Sequence, residues 1–595
     1  MSEPIPRKVL YIDLSSKRYW VEDRLDLFEE YLGGTGVATK LLEEELPRNV
    51  DPLGPENVIV FAVGPFNALY PTASKTVAMF KSPHTGNLGE SHAGGRSAVA
   101  IRLAGYGAIV IKGASDLPVW VSVHGDKVYF RDARAIWGMT SSHTVGRILR
   151  EVEPGSGVRT IMRIGRAGER MISYANVITE TYRHFGRLGL GAVFGSKKLK
   201  ALVVSGKGSV RVVDRKAYRE VYDKIFKLIV DSPLMKKYHE IGTPINVRVL
   251  NALGALPSLN LQKASIDSAD AISGEYIATN YLGRRVSCAH CPVACIHLAV
   301  VREPYEEEPY FYKTTFIGYD YEPIYALGSM LGAGEARDVL RLIDLVDSYG
   351  LDAMTTGVVL AWATEALSRG IISEKDLAGV KLRWGDYNAY MKAVQYIVEQ
   401  PTELYRDLAR GALYAARKWG GEDFALSFGG NEMAGYHTGP AAYANFAFGA
   451  RHSHLDSAGY DLDQETIGRT PEPGELVRRL YEEESWRQVL TSLVVCLFAR
   501  KVYKPEVVSE ALKPLGIEMS VDDLYSLGRK IYREKYRLKL REGFRPEDVS
   551  FPRRIFETPT PHGLLSPEYM EKVKLEYVRL IREVTGEGAS GHHDG

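Results

Sequence analysis

Cysteine is almost missing from this chain: 595 residues contain four of them. So few exclude a disulfide-stapled scaffold. Long apolar runs are missing too. No stretch of about 18 apolar residues occurs, which excludes a membrane-spanning helix, and residues 1–14 lack the apolar core of an export signal. Nor is there an excess of either charge: 75 Lys plus Arg face 74 Asp plus Glu, for a net charge of +1. That balance excludes nucleic-acid or membrane-surface binding driven by a basic excess. A cytoplasmic protein is expected, long enough for several domains around large cores. Glutamine is scarce while Tyr, Arg and Glu are plentiful, a composition like that of thermophile proteins.

What is present starts with the placing of those cysteines. Three stand in Cys288-Ala289-His290-Cys291-Pro292-Val293-Ala294-Cys295, and Cys496 lies in the apolar run Leu493-Val494-Val495-Cys496-Leu497-Phe498. A C-x2-C-x3-C run plus one distant cysteine supplies the four thiolates of a [4Fe–4S] cube. Structural zinc is the alternative, but zinc ribbons pair two C-x2-C knuckles and the second is lacking here.

Along the chain, alternating segments at 8–14 and 18–21 around Ser15-Ser16-Lys17 predict a hairpin. Further strands are predicted at 58–63, 76–80, 108–112, 119–123, 127–131, 159–164 and 199–205. Residues 27–46 have helical spacing interrupted by Gly33-Gly34-Thr35-Gly36, where a bend or a close approach to a ligand is expected. From Asp214, a good N-cap, helical periodicity takes over and is expected to persist. Val339, Leu342, Ile343 and Val346 mark one face of a helix ending at Gly350, with more helices at 356–368, 388–398, 402–419 and 570–584. The expected fold class is α+β: a strand-rich base domain over 1–208, a helical domain over 209–427 and a second over 428–595. The tail, with His592 and His593, reads as disordered rather than as a metal site.

Two glycine-rich segments are suited to phosphate, because glycine lets backbone N–H groups approach an anion. One is Ser91-His92-Ala93-Gly94-Gly95-Arg96; the other is Arg183-His184-Phe185-Gly186-Arg187, whose arginines add bidentate donors. Neither is a P-loop or a dinucleotide fingerprint, and tight turns are the alternative. Asp347-Ser348-Tyr349-Gly350-Leu351-Asp352 places two carboxylates at a helix C-terminus, where the dipole disfavours them, so ligand N–H partners are expected. Arg451-His452-Ser453-His454 gathers ionisable groups in a stretch otherwise rich in Ala, Gly and Phe, to be read as metal ligands or as neutral imidazoles beside a redox cofactor. Glu322 sits among Tyr319, Tyr321 and Tyr325, whose shielding should raise its pKa.

With Ser82-Pro83-His84-Thr85-Gly86, Ala104-Gly105-Tyr106-Gly107-Ala108 and Gly191-Ala192-Val193-Phe194-Gly195-Ser196-Lys197 added to the cysteines and the Asp-x-x-Gly-Leu-Asp box, the chain resembles the aldehyde:ferredoxin oxidoreductase family of tungsten enzymes. The motifs keep the family's order over the whole length. The resemblance implies tungsten, or molybdenum, held by two pterins, an Mg²⁺ bridging their phosphates and one [4Fe–4S] cluster on Cys288, Cys291, Cys295 and Cys496. It implies that His92 and Gly94 meet pterin phosphate and magnesium, that Arg183, His184, Gly186 and Arg187 hold phosphate, and that Asp347, Leu351 and Asp352 recognise one pterin. Lys75 stands where several members carry Arg, and Arg451 falls in the cofactor-binding set. The second recognition box departs from the pattern: Asp-x-x-Gly-Leu-Cys is replaced by Thr491-Ser492-Leu493-Val494-Val495-Cys496.

Glu322 matches the family's active-site glutamate and His454 its catalytic histidine, with His452 as the other candidate. The resemblance implies that an aldehyde and water become a carboxylate, with Glu322 managing the proton of the water, His454 holding the carbonyl oxygen, and electrons leaving to ferredoxin or a ferredoxin-like subunit. The Arg-His-Ser-His-Leu-Asp stretch looks closer to the branch of aryl-coenzyme A reductase tungsten subunits, which implies low-potential thioester reduction instead. Arg341-Leu342-Ile343-Asp344 replaces the Glu-x-x-His that binds an interfacial iron in dimeric members, so no such iron is expected and the oligomeric state stays open. A non-catalytic iron–sulfur electron carrier is the rival of another class.

Overall fold

The computed structural model describes residues 3–180, 182–305 and 308–586; the expectation for His592 and His593 lies outside them. Two six-stranded mixed sheets form the base. The first has the order β2-β1-β6-β3-β4-β5, from β1 (Lys8–Asp13), β2 (Arg18–Asp23), β3 (Ile59–Ala62), β4 (Thr76–Lys81), β5 (Leu88–Ala93) and β6 (Ala108–Lys112). The second has the order β11-β10-β9-β12-β7-β8, from β7 (Val119–His124), β8 (Lys127–Asp132), β9 (Val158–Arg163), β10 (Val177–Ile178), β11 (His184–Phe185) and β12 (Leu199–Gly206). Successive side chains of a strand point to opposite faces, so each strand feeds two cores. Leu10, Ile12, Phe61 and Ile109 meet Val121, Met162, Leu202 and Val204 of the second sheet. Val9, Tyr11, Val60 and Val110, the alternate set, pack instead against the helix Gly34–Glu45 and against Leu524, Leu527 and Ile531 from near the C-terminus.

The glycines at 33–36 end one short helix, Leu25–Tyr31, and begin the next. What approaches them is protein backbone rather than ligand. A Cβ on Gly34 would lie 2.1 Å from Thr491 O, and one on Gly64 2.5 Å from Ser492 O. Gly36 N–H donates to Ser492 Oγ at 3.1 Å. The base and the segment leading to Cys496 are therefore in backbone contact.

Helical structure does not persist from residue 214, contrary to the periodicity reading. A three-stranded antiparallel sheet, β13 (Leu282–Val286), β14 (Ile296–Tyr305) and β15 (Glu308–Tyr319), grows out of the cysteine loop. Its aromatic and β-branched run from Tyr310 to Ile317 carries ordinary strand propensity. The helix Ala336–Tyr349 does end at Gly350, at φ 77°, whereas 402–419 divides into Glu403–Leu408 and Ala412–Trp419 around Gly411, at φ 104°. The largest core joins Val339, Leu342, Ile343 and Val346 to Phe446, Leu476, Tyr577 and Ile581. No helix among the described residues is long and apolar enough to cross a membrane.

Candidate active site

Thr72 brings the two cysteine segments together. Its N–H donates to His290 O at 3.0 Å, and its carbonyl accepts from Cys496 N at 3.0 Å. Ala289 N donates to Gly95 O at 2.9 Å and Lys75 N to Val494 O at 3.1 Å. A Cβ on Gly94 would stand 2.8 Å from Cys288 Sγ, so only glycine lets the loop seat. Gly94 thus faces a cysteine, in the short turn between strand β5 and the helix Ser97–Ala104. Val494 adopts φ 56°, a left-handed conformation that a β-branched residue holds only under strain. The thiols interact: burial and then Cys288 push Cys291 up to about 12, and burial and then Cys496 raise Cys295. Among the described residues, no group of three or more His, Cys, Asp or Glu side chains is drawn close enough to hold a metal ion.

A cavity of about 480 Å³ adjoins Cys496. Lys75, His92, Arg183, His184, Gly186, Arg187, Glu322, Arg451 and His454 all line it. His452, Asp347, Leu351 and Asp352 do not. Burial and then Arg451 depress His92 to about 4, and burial and then Arg183 depress His184 to about 3, so both imidazoles are neutral. Of the expected residues, Lys75 and three arginines carry the positive charge: Arg183 pairs with Asp320 at 3.0 Å, Arg187 with Asp352 at 3.0 Å and Arg451 with Asp456 at 2.7 Å. Even so, Arg183 Nε, Arg187 Nη1 and His184 Nε2 are buried without a hydrogen-bond partner. Buried orphan donors are costly, so a cavity lined by them fits an anionic, phosphate-bearing group. A larger cavity of about 810 Å³, between the helix Ser142–Val152 and β15, contains none of the expected residues.

Asp352 proves not to be a C-terminal carboxylate. It is the N-cap of the next helix, Ala353–Ser368, accepting from Met354 N at 2.9 Å and Thr355 Oγ1 at 2.6 Å, where the dipole favours it. Its other partner is Arg187, whose Nη2 also donates to Glu432 O at 2.8 Å. Asp347 does sit in the last turn of its helix, and burial and then Asp344 raise its pKa well above the ordinary value. It stands 3.4 Å from His184 Nε2. Leu351 is fully buried behind it, its carbonyl accepting from Asn176 Nδ2 at 2.9 Å.

Glu322 Oε1 lies 3.0 Å from His454 Nε2 and accepts from Tyr436 OH at 3.1 Å. The three expected tyrosines are engaged elsewhere: Tyr321 donates to Gly435 O, Tyr325 to Met433 O, and Tyr319 OH faces His297 at 3.4 Å. The expected rise in pKa is overturned too. Burial alone would raise it, but His454 and Tyr436 outweigh burial and hold Glu322 below the usual carboxylate range. His454 Nδ1 is buried with no protein partner. His452, at φ 52°, points away: its Nδ1 donates to Phe446 O at 3.0 Å, and its Nε2 accepts from Lys539 Nζ at 2.9 Å.

Residues not anticipated complete the site. Tyr436 is followed by Tyr460, stacked on it at 4.2 Å. Glu90 bridges His92 and Lys535, each at 2.7 Å. His84 of the Ser82–Gly86 motif binds Glu432 at 2.6 Å, directly behind Arg187. Glu90 lay beside the Ser91–Arg96 segment already singled out, but Tyr436 and Lys535, the latter on the helix Val521–Arg541, left no local signal.

Residues 9–206 match the family model described as aldehyde ferredoxin oxidoreductase, N-terminal domain, and residues 220–583 match that for its domains 2 and 3. A tungsten-containing aldehyde ferredoxin oxidoreductase of Thermococcus kodakarensis is 29% identical over 571 residues, covering 93% of this chain and 92% of its own. One from Pyrococcus horikoshii is 30% identical over 577 residues, with 93% and 92% covered. The WOR-like subunit of an aliphatic sulfonate oxidoreductase from Pyrococcus furiosus is 31% identical over 428 residues, with 69% and 67% covered. Among solved structures, the active site complex BamBC of benzoyl coenzyme A reductase with 1,5 dienoyl-CoA shares the fold over 100% of both chains, at a TM-score of 0.83 and 21% identity.

Proposed function

The chain belongs to the aldehyde ferredoxin oxidoreductase family, and from that membership we propose that it oxidises an aldehyde with water to a carboxylate, passing two electrons through a [4Fe–4S] cluster to ferredoxin. The balance is RCHO + H₂O → RCOO⁻ + 3 H⁺ + 2 e⁻. The observation that carries this reading is the Glu322–His454 pair, at 3.0 Å, in a cavity lined by orphan phosphate-type donors beside Cys496.

Arg183, Arg187, His184 and Lys75 would hold the phosphates of a tungsten bis-pterin, and Cys288, Cys291, Cys295 and Cys496 would hold the cluster. When bound, the tungsten centre supplies the two-electron redox couple, and the protein supplies positioning and proton handling. Glu322 is ionised and takes the Nε2 proton of His454 as a hydrogen bond, which leaves a lone pair on Nδ1. The imidazole then accepts a proton from the attacking water while the carboxylate stabilises the imidazolium. Tyr436 keeps Glu322 oriented. The pair thus divides the work differently from the expectation in which Glu322 itself takes the water proton.

A second reading keeps the cofactors and runs low-potential reduction of an aromatic thioester within a larger complex; behind it stands the full-length likeness to the benzoyl coenzyme A reductase complex. The electron-carrier alternative has no use for a cavity lined by buried unpartnered arginine and histidine nitrogens. Metal analysis with an aldehyde panel and a viologen acceptor separates these. Tungsten with turnover supports oxidation, tungsten without turnover favours thioester reduction, and iron alone would leave only the carrier.

A further inference from the structure

Past Glu322, the cavity leads outward along Tyr436 and Tyr460 to Asp461, Arg500 and Lys501. There it meets a second, open groove of about 590 Å³ that shares those last three residues. The groove contains six cations, Arg478, Arg479, Arg487, Arg500, Lys501 and Lys504, against four acids. Arg479 is matched by Glu465 at 3.0 Å, Arg487 by Glu483 at 2.8 Å and Arg500 by Asp461 at 2.5 Å. The fourth acid, Glu482, faces Arg529 outside the groove at 3.8 Å. Arg478, Lys501 and Lys504 therefore have no acidic partner among the described residues. On a chain with net charge +1, this concentrates unmatched positive charge where the reaction cavity opens.

We propose that this groove is the far end of the substrate site, and that the substrate carries an anionic group, a phosphate, sulfonate or carboxylate, remote from its reacting carbon. The anion lies on Lys501 and Lys504, with Arg478 further out, while the neutral stem passes Tyr460, Phe498 and Tyr238, which line the intervening wall. Arg500, neutralised by Asp461, acts as the hinge between the two spaces rather than as the anion's main partner. The inference rests on Glu322 and His454 marking the reacting end.

The test uses the metal-replete enzyme with matched substrates: butanal against succinic semialdehyde, and benzaldehyde against 4-formylphenyl phosphate. The anionic member of each pair should show a KM lower by about tenfold, the combined effect of two exposed cations. In a Lys501→Glu, Lys504→Glu protein the ratio should collapse toward one, and Lys501→Arg should restore it. A wild-type ratio near one, or a ratio unmoved by charge reversal, overturns the proposal. Should no aldehyde be turned over, calorimetry with pyrophosphate at low salt decides instead: binding that weakens about tenfold on charge reversal and fades with salt supports the groove, and no binding overturns it. Charge reversal that slows only reduction of an acidic iron–sulfur protein, with the KM ratio intact, also overturns it and gives the groove to the electron acceptor.

Discussion

Separation underlies the roles proposed for Glu322 and His454. At 3.0 Å they share one proton, and the carboxylate, held below its usual range, keeps its charge for the imidazole. Glu322→Gln keeps volume and one hydrogen bond but cannot stabilise the imidazolium. It should keep tungsten and iron while losing about 10²–10⁴-fold in turnover, as judged by viologen reduction per metal-replete enzyme. His454→Asn should behave alike. His452→Asn should differ in kind, because it removes one of two acceptors of the buried Lys539, the other being Asn87 Oδ1 at 2.8 Å: stability should fall by about 1–2 kcal/mol in urea melts with turnover largely kept. Lys539 itself makes a pH prediction. Burial lowers it to about 7, against an opposing pull from Asp456 and Glu484. Between pH 7 and the ordinary lysine range the unfolded chain therefore holds a proton that the folded one lacks, and stability rises with pH. Lys539→Met should remove about 1.4 kcal/mol per pH unit from that slope, read from urea midpoints at pH 8 and pH 9.

Elements meet at their ends in this protein, and the ends carry the site. Asp352 caps the helix Ala353–Ser368 and pairs with Arg187 at once. Asp352→Ala should cost about 1–2 kcal/mol through the lost cap. Asp352→Asn should keep most of that stability, since asparagine caps as well, yet purify with less tungsten because Arg187 loses its charged anchor. Tungsten content in the Asp352→Asn protein equal to that of the wild type would detach the Arg187 anchor from cofactor retention. At Gly34 two backbones touch, with 2.1 Å between a notional Cβ and Thr491 O. Gly34→Ala should cost about 3 kcal/mol, because neither backbone can yield without shifting the segment that carries Cys496. The glycine pattern at 33–36 was legible in the sequence, but its partner lay more than 450 residues away and was not.

Across the whole molecule, the four cysteines proposed as cluster ligands join distant parts of the chain. Both cysteine segments hang on Thr72 of the base, so four irons would cross-link the base, the β13–β15 sheet and the helix leading to Cys496. Iron analysis should return about four per chain, and Cys496→Ser should lose them together with several degrees of melting temperature, since a bound group stabilises the state that binds it. Normal iron in that variant would remove Cys496 from the ligand set.

By itself the sequence determined the local quantities: strand periodicity in the base, the helix stop at Gly350, the scarcity and spacing of the cysteines, and motifs dense enough to imply a family. Each of these depends on residues within a few positions of one another, where spacing translates directly into a shared face or a turn. Tertiary structure alone decided which histidine meets Glu322, which tyrosine orients it and the sign of its pKa shift. It also turned Asp352 into an N-cap and gathered the unmatched cations at the cavity mouth. Those outcomes depend on which charges and donors are carried within about 3 Å through a buried, weakly screening interior. A carboxylate's neighbours in space, not in sequence, set the balance between burial and its ion partners.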